Sequence, residues 1–387
     1  MHLADERLQS ALASIVAAIR LCQVRRRFVY SFTVESFLSS PTYPRFRCYV
    51  VTVAELNRQI RLVATPVGMP KESDFQLTES PIPHPAGGEI LVRAGYLSVD
   101  PYIRGRLNGV TTYVKGIQPG EVVGGGLVGE VIESNDPRFA PGDIAEGMLG
   151  WQEYATAPAK ALRKIDPEGN SISTALYVLG MPGLTAYFGL LEICRPQPGE
   201  TVVVSGAAGA VGSLVGQIAR IKRCRVIGVA GSDEKVEFIT NELGFDGGFN
   251  YKTTQDYHAR LKELCPNGID IYFDNVGGRL TDEVMGLIAT RARIAVCGQI
   301  SQYNATGPEM GPRWMGQLVV KQARMEGFLV YQFADRYEAA LHQLSTWLRQ
   351  GKIHYREDVM VGIENTPRAF IGMLEGRNVG KQLVKVA

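Results

Sequence analysis

Between Thr201 and Lys235 the chain carries residues whose types and spacing suit the capture of a dinucleotide. The run Thr201-Val202-Val203-Val204-Ser205 is rich in β-branched residues and ends in Gly206-Ala207-Ala208-Gly209-Ala210-Val211-Gly212. Leu214, Val215, Ile218 and Ile221 then recur at helical spacing, so the segment reads as strand, tight turn and helix. A pyrophosphate must come close to backbone N–H groups at a helix N-terminus, where the dipole and the unpaired donors favour an anion. Gly209 and Gly212 have no Cβ to obstruct that approach. The usual fingerprint has a further glycine where this chain has Ala207, which leaves the weaker pattern A-x-G-x-x-G. The second β-branched run, Arg225-Val226-Ile227-Gly228-Val229, follows at the distance of a βαβ unit and supplies the missing context. Ala208, Gly209, Ala210 and Val211 are expected cofactor contacts.

The end of that second strand bears on the choice of nucleotide. A site for NAD(H) places Asp or Glu there to hold the ribose 2′-hydroxyl. Here Ala230-Gly231-Ser232 stand instead, followed by Lys235. A carboxylate would repel a 2′-phosphate, whereas small residues leave room for it and a lysine supplies a cation. Asp233 and Glu234 fall in the first turn of a helix beginning at Ser232, where acids suit the dipole, and are read as capping residues. The expectation is NADP(H), held in part by Gly231, Ser232 and Lys235, with a solvated surface lysine as the plain alternative for Lys235. A nicotinamide cofactor in turn points to redox chemistry.

Composition bounds the rest. The 387 residues suffice for two domains, and 45% hydrophobic with 21% charged residues is ordinary for a globular protein. A net charge of +2 gives no basic field for nucleic acid, and no apolar run is long enough to cross a membrane. Cys22, Cys48, Cys194, Cys224, Cys265 and Cys297 form no C-x-x-C pair, which argues against a disulfide framework and a structural zinc site and suits a reducing compartment, the cytoplasm.

The beginning of the chain is unlike the remainder. Its first fifty residues hold seven arginines, no lysine and three acids, with an apolar stretch from Leu12 to Leu21 broken by Arg20. Residues 1–55 are expected to be a poorly ordered extension, either an organelle presequence or a non-native start, and stand outside the fold argument.

From about residue 57 to 178 the periodicity is short and β-like. Ile90–Ala94, Gly126–Ile132 and Tyr154–Thr156 are strand candidates separated by Pro and Gly signals such as Pro85-Ala86-Gly87-Gly88. Strands at 201–205, 225–229, 269–273 and 293–297 then alternate with helices, which implies a doubly wound parallel sheet, an α/β arrangement. The tail ending in Lys381-Gln382-Leu383-Val384-Lys385-Val386 returns to strand character and is expected to rejoin the first domain.

Five further motifs follow one another along the chain: Ser98-Val99-Asp100-Pro101-Tyr102-Ile103-Arg104-Gly105-Arg106, Leu179-Gly180-Met181-Pro182-Gly183-Leu184-Thr185-Ala186-Tyr187, Asp274-Asn275-Val276-Gly277-Gly278, Gly298-Gln299-Ile300-Ser301-Gln302-Tyr303-Asn304 and Asn378-Val379-Gly380-Lys381. In that order they resemble the zinc-independent branch of the medium-chain dehydrogenase/reductase superfamily, and within it the prostaglandin reductase, alkenal reductase and curcumin reductase group. The resemblance runs from about Leu56 to the C-terminus. It implies a GroES-like, mostly β catalytic domain (56–178 and 351–387), a Rossmann domain (179–350), NADPH as hydride donor, reduction of a C=C bond conjugated to a carbonyl in a small enone or alkenal, and a homodimer. It also implies cofactor contacts at Met181, Thr185, Tyr251, Asn275, Cys297, Tyr303, Phe328 and Asn378, with Tyr251 the aromatic partner of Lys235 and core filling the alternative for Met181.

The chain's own residues bear on metal independently. His2, His84, His258, His342 and His354 lie in no ligand spacing with Cys or Glu, and Pro119-Gly120-Glu121-Val122-Val123-Gly124 lacks the histidine of a zinc-dependent relative's Gly-His-Glu. No metal is expected, so hydrogen-bond donors must polarise the carbonyl. Hydride addition to the β-carbon of an enone leaves an enolate, and the candidate donors to it are Tyr303, Tyr102 and the nicotinamide ribose hydroxyl. Each tyrosine has the alternative of an aromatic packed at a domain seam. A quinone reductase and a non-catalytic NADPH-binding protein remain as competing functions on the same fold.

Overall fold

The computed structural model describes residues 29–33, 47–51, 56–167 and 169–386. The chain divides into two compact units, one running to Asn57 and including Glu79–Ile82, the other comprising Arg58–Thr78 and Pro83–Ala387. In the first, Val29–Thr33 pairs antiparallel with Arg47–Val51, Val29 opposite Val51. The remainder of the expectation for residues 1–55 falls outside the described residues.

Six strands of the second unit form a parallel sheet in the order Gly247–Asn250, Arg225–Ala230, Thr201–Ser205, Ile269–Asp274, Ile288–Val296, Arg324–Gly327. Numbered along the chain this is 3-2-1-4-5-6, the doubly wound Rossmann order, whose strand direction of growth reverses between Thr201–Ser205 and Ile269–Asp274. The β-branched run is there because both faces of a parallel strand are covered. Val202, Val203 and Val204 are wholly buried; helix Ala210–Ile221 packs Leu214, Val215, Ile218 and Ala219 into the core of Val202 and Val204, while Val203 enters the core on the other face. The reversal leaves a crevice beyond the carboxyl ends of those two strands, where Ser205 and Asp274 stand.

A second, mostly antiparallel sheet is built around Glu89–Ser98, which pairs with Leu127–Ser134, Tyr154–Pro158 and Lys381–Lys385. Ile144–Gly147 and Arg163–Ile165 extend one side, and Glu357–Val361 lies parallel to Lys381–Lys385 on the other. The tail therefore returns to the antiparallel sheet of the N-terminal β segment as its sequence predicts, with Leu383 opposite Ser98. Trp151 is fully buried in this core, edge-on to Phe370 at 5.6 Å, and its indole N–H donates to the Ser98 carbonyl at 3.0 Å. This is the GroES-like companion of the Rossmann sheet.

Two departures from the sequence expectation have local causes. The strand expected at 293–297 begins earlier, at Ile288, and ends at Val296; left-handed Arg291 (φ 65°) interrupts its period-two pattern and the pairing register shifts there. The short strands Gly247–Asn250 and Arg324–Gly327 carry too few apolar residues to announce themselves. Among the described residues no helix is long and apolar enough to cross a membrane.

Candidate active site

Beyond the carboxyl ends of the parallel strands lies a cleft of about 450 Å³, within the usual range for a small-molecule site. Its nucleotide end is shaped by the glycine turn. Gly206 takes φ +59°, Gly209 N–H donates to the Gly206 carbonyl at 3.0 Å, and a Cβ on Gly212 would collide with that same carbonyl. Gly209 then caps the helix without any side-chain acceptor, which leaves the first amides of the helix for an anion. Ala208, Gly209, Ala210 and Val211 line the cleft at this point. The last loop is tied on from the other side: Gly380 N–H donates to the Ala208 carbonyl at 2.8 Å, and Asn378 Nδ2 donates to the Gly380 carbonyl at 2.8 Å.

Ser232 alone among the expected site residues does not line the cleft. Its hydroxyl oxygen accepts from the Lys235 amide at 3.2 Å and caps helix Asp233–Glu237, so its task is to set Lys235. Lys235 does line it, and its Nζ donates to the Gly376 carbonyl at 2.7 Å. Burial, and then the like charge of Lys252, pulls the Lys235 ammonium below its ordinary pKa. The ring of Tyr251 lies against Gly231, where an added Cβ would come within 3.1 Å of Tyr251 Cε1 and Oη. Asp233, the nearest acid on the strand end, is engaged by Asn250 Nδ2 at 2.9 Å. A lysine, an aromatic face and a glycine floor form a corner suited to a 2′-phosphate, with the charge of Lys252 nearby.

At the sheet's switch point a buried carboxylate organises the backbone. Asp274 Oδ1 accepts from Tyr272 Oη (2.9 Å), Ser205 Oγ (3.1 Å), Val276 N (3.0 Å) and Gly277 N (2.9 Å), and Oδ2 accepts from Thr281 Oγ1 (2.7 Å). This cage fixes Asn275, whose amide N–H donates to Ser205 Oγ and whose Nδ2 donates to the Ser205 carbonyl, at 2.8 and 2.7 Å. Asn275 lines the cleft.

The other end gathers tyrosines. Tyr102 opens the short helix Tyr102–Arg106 directly after Asp100-Pro101, and Tyr303 closes the single turn Ile300–Gln302. Both line the cleft, together with Met181 and Thr185 from the first turns of helix Met181–Phe188. Thr185 Oγ1 donates to the Met181 carbonyl at 2.8 Å. Tyr303 Oη stands 3.1 Å from where a Cβ on Gly298 would be. Burial above all, then the Asp100 carboxylate, holds Tyr102 well above the ordinary tyrosine pKa, and burial raises Tyr303 likewise, so both phenols are protonated donors at neutral pH. Cys297 and Phe328 line the same wall; burial, with the Asp274 charge adding, pushes the Cys297 thiol up to about 12. Phe328 packs edge-on against Phe273 at 6.1 Å.

Tyr113 and Tyr331 also line the cleft, and burial raises the pKa of each, with Tyr331 adding to the rise at Tyr113. Sequence reasoning missed both, because one lies in irregular chain and the other in a 3₁₀ segment with no motif around it. Among the described residues no group of three or more His, Cys, Asp or Glu converges as metal ligands would.

Fold and site together define a dinucleotide-dependent oxidoreductase with a Rossmann sheet and a GroES-like partner. Comparison with known proteins narrows this. Residues 58–165 match the family described as N-terminal domain of oxidoreductase, and residues 210–346 the family described as zinc-binding dehydrogenase. The chain is 43% identical to the NADPH-dependent curcumin reductase of Escherichia coli over 86% of its own length and 97% of the relative's. It is 45% identical to the NADP(+)-dependent 2-alkenal reductase of Nicotiana tabacum, covering 86% of this chain and 98% of that one. The crystal structure of CurA from Vibrio vulnificus in complex with NADPH superposes with a TM-score of 0.82 at 47% identity, over 85% of this chain and 99% of that one. The chain belongs to the medium-chain dehydrogenase/reductase superfamily, in its prostaglandin, alkenal and curcumin reductase group.

Proposed function

We infer that this protein reduces the C=C bond of α,β-unsaturated ketones and aldehydes with NADPH. One observation carries the reading: a single cleft holds a glycine turn suited to phosphate and a lysine corner at one end and neutral, half-buried tyrosines at the other. NADPH, when bound, supplies the hydride that reaches the β-carbon. The turn Gly206–Gly212 receives the pyrophosphate, Lys235 and Tyr251 the 2′-phosphate, and Met181, Thr185, Asn275, Cys297, Phe328 and Asn378 the remainder of the cofactor. As the β-carbon gains the hydride, the π pair moves toward the carbonyl and forms an enolate. Tyr303 and Tyr102 donate hydrogen bonds to that oxygen, and a tyrosine or a water it orders delivers the proton to the α-carbon. We take residues 56–178 with 351–387 as the catalytic domain and 179–350 as the nucleotide domain.

The chemistry is zinc-independent in this reading, because tyrosine donors occupy the polarising role. The protein acts in the cytoplasm and as a homodimer; the support for the dimer is the outer edge of strand Arg324–Gly327, which among the described residues has no partner, preceded by a helix that exposes Met315, Val319 and Val320. Val319→Glu with Val320→Glu is expected to halve the mass measured by sedimentation, and an unchanged mass would remove that support.

The function is tested by following NADPH absorbance with a straight-chain enone and, separately, with a benzoquinone. Rapid turnover of the enone is expected. Turnover of quinone with none of enone would establish the quinone reductase instead.

A further inference from the structure

Lys381 is an unusual place for a lysine. It begins the C-terminal strand, just after the cofactor-side loop of Asn378 and Gly380, and its side chain is 1% exposed. Nζ donates to Asp100 Oδ1 at 2.7 Å and to the Val99 carbonyl at 2.8 Å. Asp100 is itself buried, its side chain 7% exposed, and its second oxygen accepts from Ser98 Oγ. An ion pair so dry brings little net stability, because desolvation offsets its attraction, and an apolar pair of similar volume would serve the fold as well. Its value must lie in geometry and charge.

Both follow from what surrounds it. Asp100 precedes Pro101-Tyr102, so the carboxylate fixes the turn that presents the Tyr102 phenol to the cleft. Its charge also bears on Tyr102, since burial first and Asp100 second raise that phenol's pKa. Left alone, the carboxylate would oppose any negative charge forming in the cleft; the ammonium cancels it at 2.7 Å. Lys381 also connects this turn to the loop whose Gly380 N–H holds the Ala208 carbonyl of the phosphate turn.

We propose that Lys381 and Asp100 are positioning residues for the reduction: their buried pair locks the Asp-Pro-Tyr turn to the C-terminal strand, aims Tyr102 at the carbonyl oxygen of the substrate, and keeps that end of the cleft neutral. This rests on the enone reductase reading and on Tyr102 as a donor.

The test compares the whole enzyme with Asp100→Asn/Lys381→Met, Tyr102→Phe and the triple variant. Lys381→Met alone strands a buried carboxylate and can fail to fold; the paired replacement removes both charges and avoids that. NADPH dissociation constant by fluorescence, and KM and kcat for trans-2-nonenal, are measured for each. The paired variant is expected to bind NADPH within about twofold of wild type while kcat falls about tenfold, the size of loss a small misplacement of a reacting group produces. Tyr102→Phe should lose a similar factor, and the triple variant no more than either. Wild-type kcat in the paired variant, or losses that multiply in the triple, would overturn the positioning role while leaving the reductase reading intact. Wild-type kcat in Tyr102→Phe would overturn this proposal together with the donor role of Tyr102. No turnover of the enal by wild type would overturn the functional reading itself.

Discussion

Arg104 Nε donates to Asn304 Oδ1 at 2.9 Å, across 200 positions of sequence. Arg104 lies two residues beyond Tyr102 and Asn304 directly follows Tyr303, so one hydrogen bond joins the segments that carry both candidate proton donors. Arg104 is buried and its remaining donors are engaged, with Asn108 Oδ1 at 2.6 Å, the Gly68 carbonyl at 2.9 Å and the Pro66 carbonyl at 3.2 Å. The guanidinium is thus a fixed post, and Asn304 is the part that can be cut away. Asn304→Ala is expected to lower kcat for an enone about tenfold, with NADPH affinity unchanged, because it frees Tyr303 without touching the nucleotide corner. Equal losses in kcat and NADPH affinity would show that the bond serves cofactor binding.

The lysine corner makes a prediction about cofactor choice. Lys235→Ala removes the cation beside Gly376 and leaves Lys252 and Tyr251 in place. The KM for NADPH is expected to rise by at least tenfold, about 1.5–3 kcal/mol for a charge-assisted contact, with little change for NADH. Steady-state kinetics with the two nucleotides decides it, and equal effects on both would remove the 2′-phosphate from this corner.

What the sequence reveals of this site depends on how contiguous each part is. The phosphate turn is legible because Gly206 to Gly212 is one unbroken segment shaped by its backbone, and the tail's return to the antiparallel sheet is legible from Leu383 and Val384 in a short β-like run. Ser232 stands at a strand end, where a serine suits either a nucleotide contact or the helix cap its hydroxyl makes, so its type alone does not separate the two tasks. The Arg104–Asn304 bond and the Lys381–Asp100 pair join residues 200 and 281 positions apart, and no local pattern encodes such a match. Tyr113, in irregular chain, and Tyr331, in a 3₁₀ segment, reach the cleft with no motif around either.

Glu357 gives a pH prediction. Ser173 Oγ donates to its Oε2 at 2.9 Å, while Oε1 is buried with no partner among the described residues. Burial raises its pKa above the ordinary 4.5, with the Ser173 hydrogen bond and Lys381 acting in the opposite sense. A carboxyl whose folded pKa is raised contributes most at acid pH, below its unfolded pKa, and that contribution is lost as pH rises through the folded value. Glu357→Gln removes the titration. Thermal unfolding should find the variant more stable than wild type by about 1 kcal/mol near pH 8, with the gap closing toward pH 4. A gap independent of pH would mean that Glu357 does not titrate in this window.

The last prediction concerns how an enzyme for electrophiles protects itself. An enal is a Michael acceptor, and Cys297 lines the cleft that would hold it. The nucleophile is the thiolate, and with the thiol pushed up to about 12 the thiolate is on the order of 10⁻⁴ of the population or less near pH 7.5. The cause is burial first, with the caged Asp274 carboxylate adding, so the feature that organises the switch point also keeps the thiol inert. Prolonged incubation with trans-2-nonenal in the absence of NADPH should leave Cys297 unmodified by peptide mass spectrometry. Asp274→Asn removes one source of that protection and should permit slow modification, provided the variant remains folded by circular dichroism. A rapid adduct on wild-type Cys297 at neutral pH would show that its thiolate is far more populated than its surroundings allow.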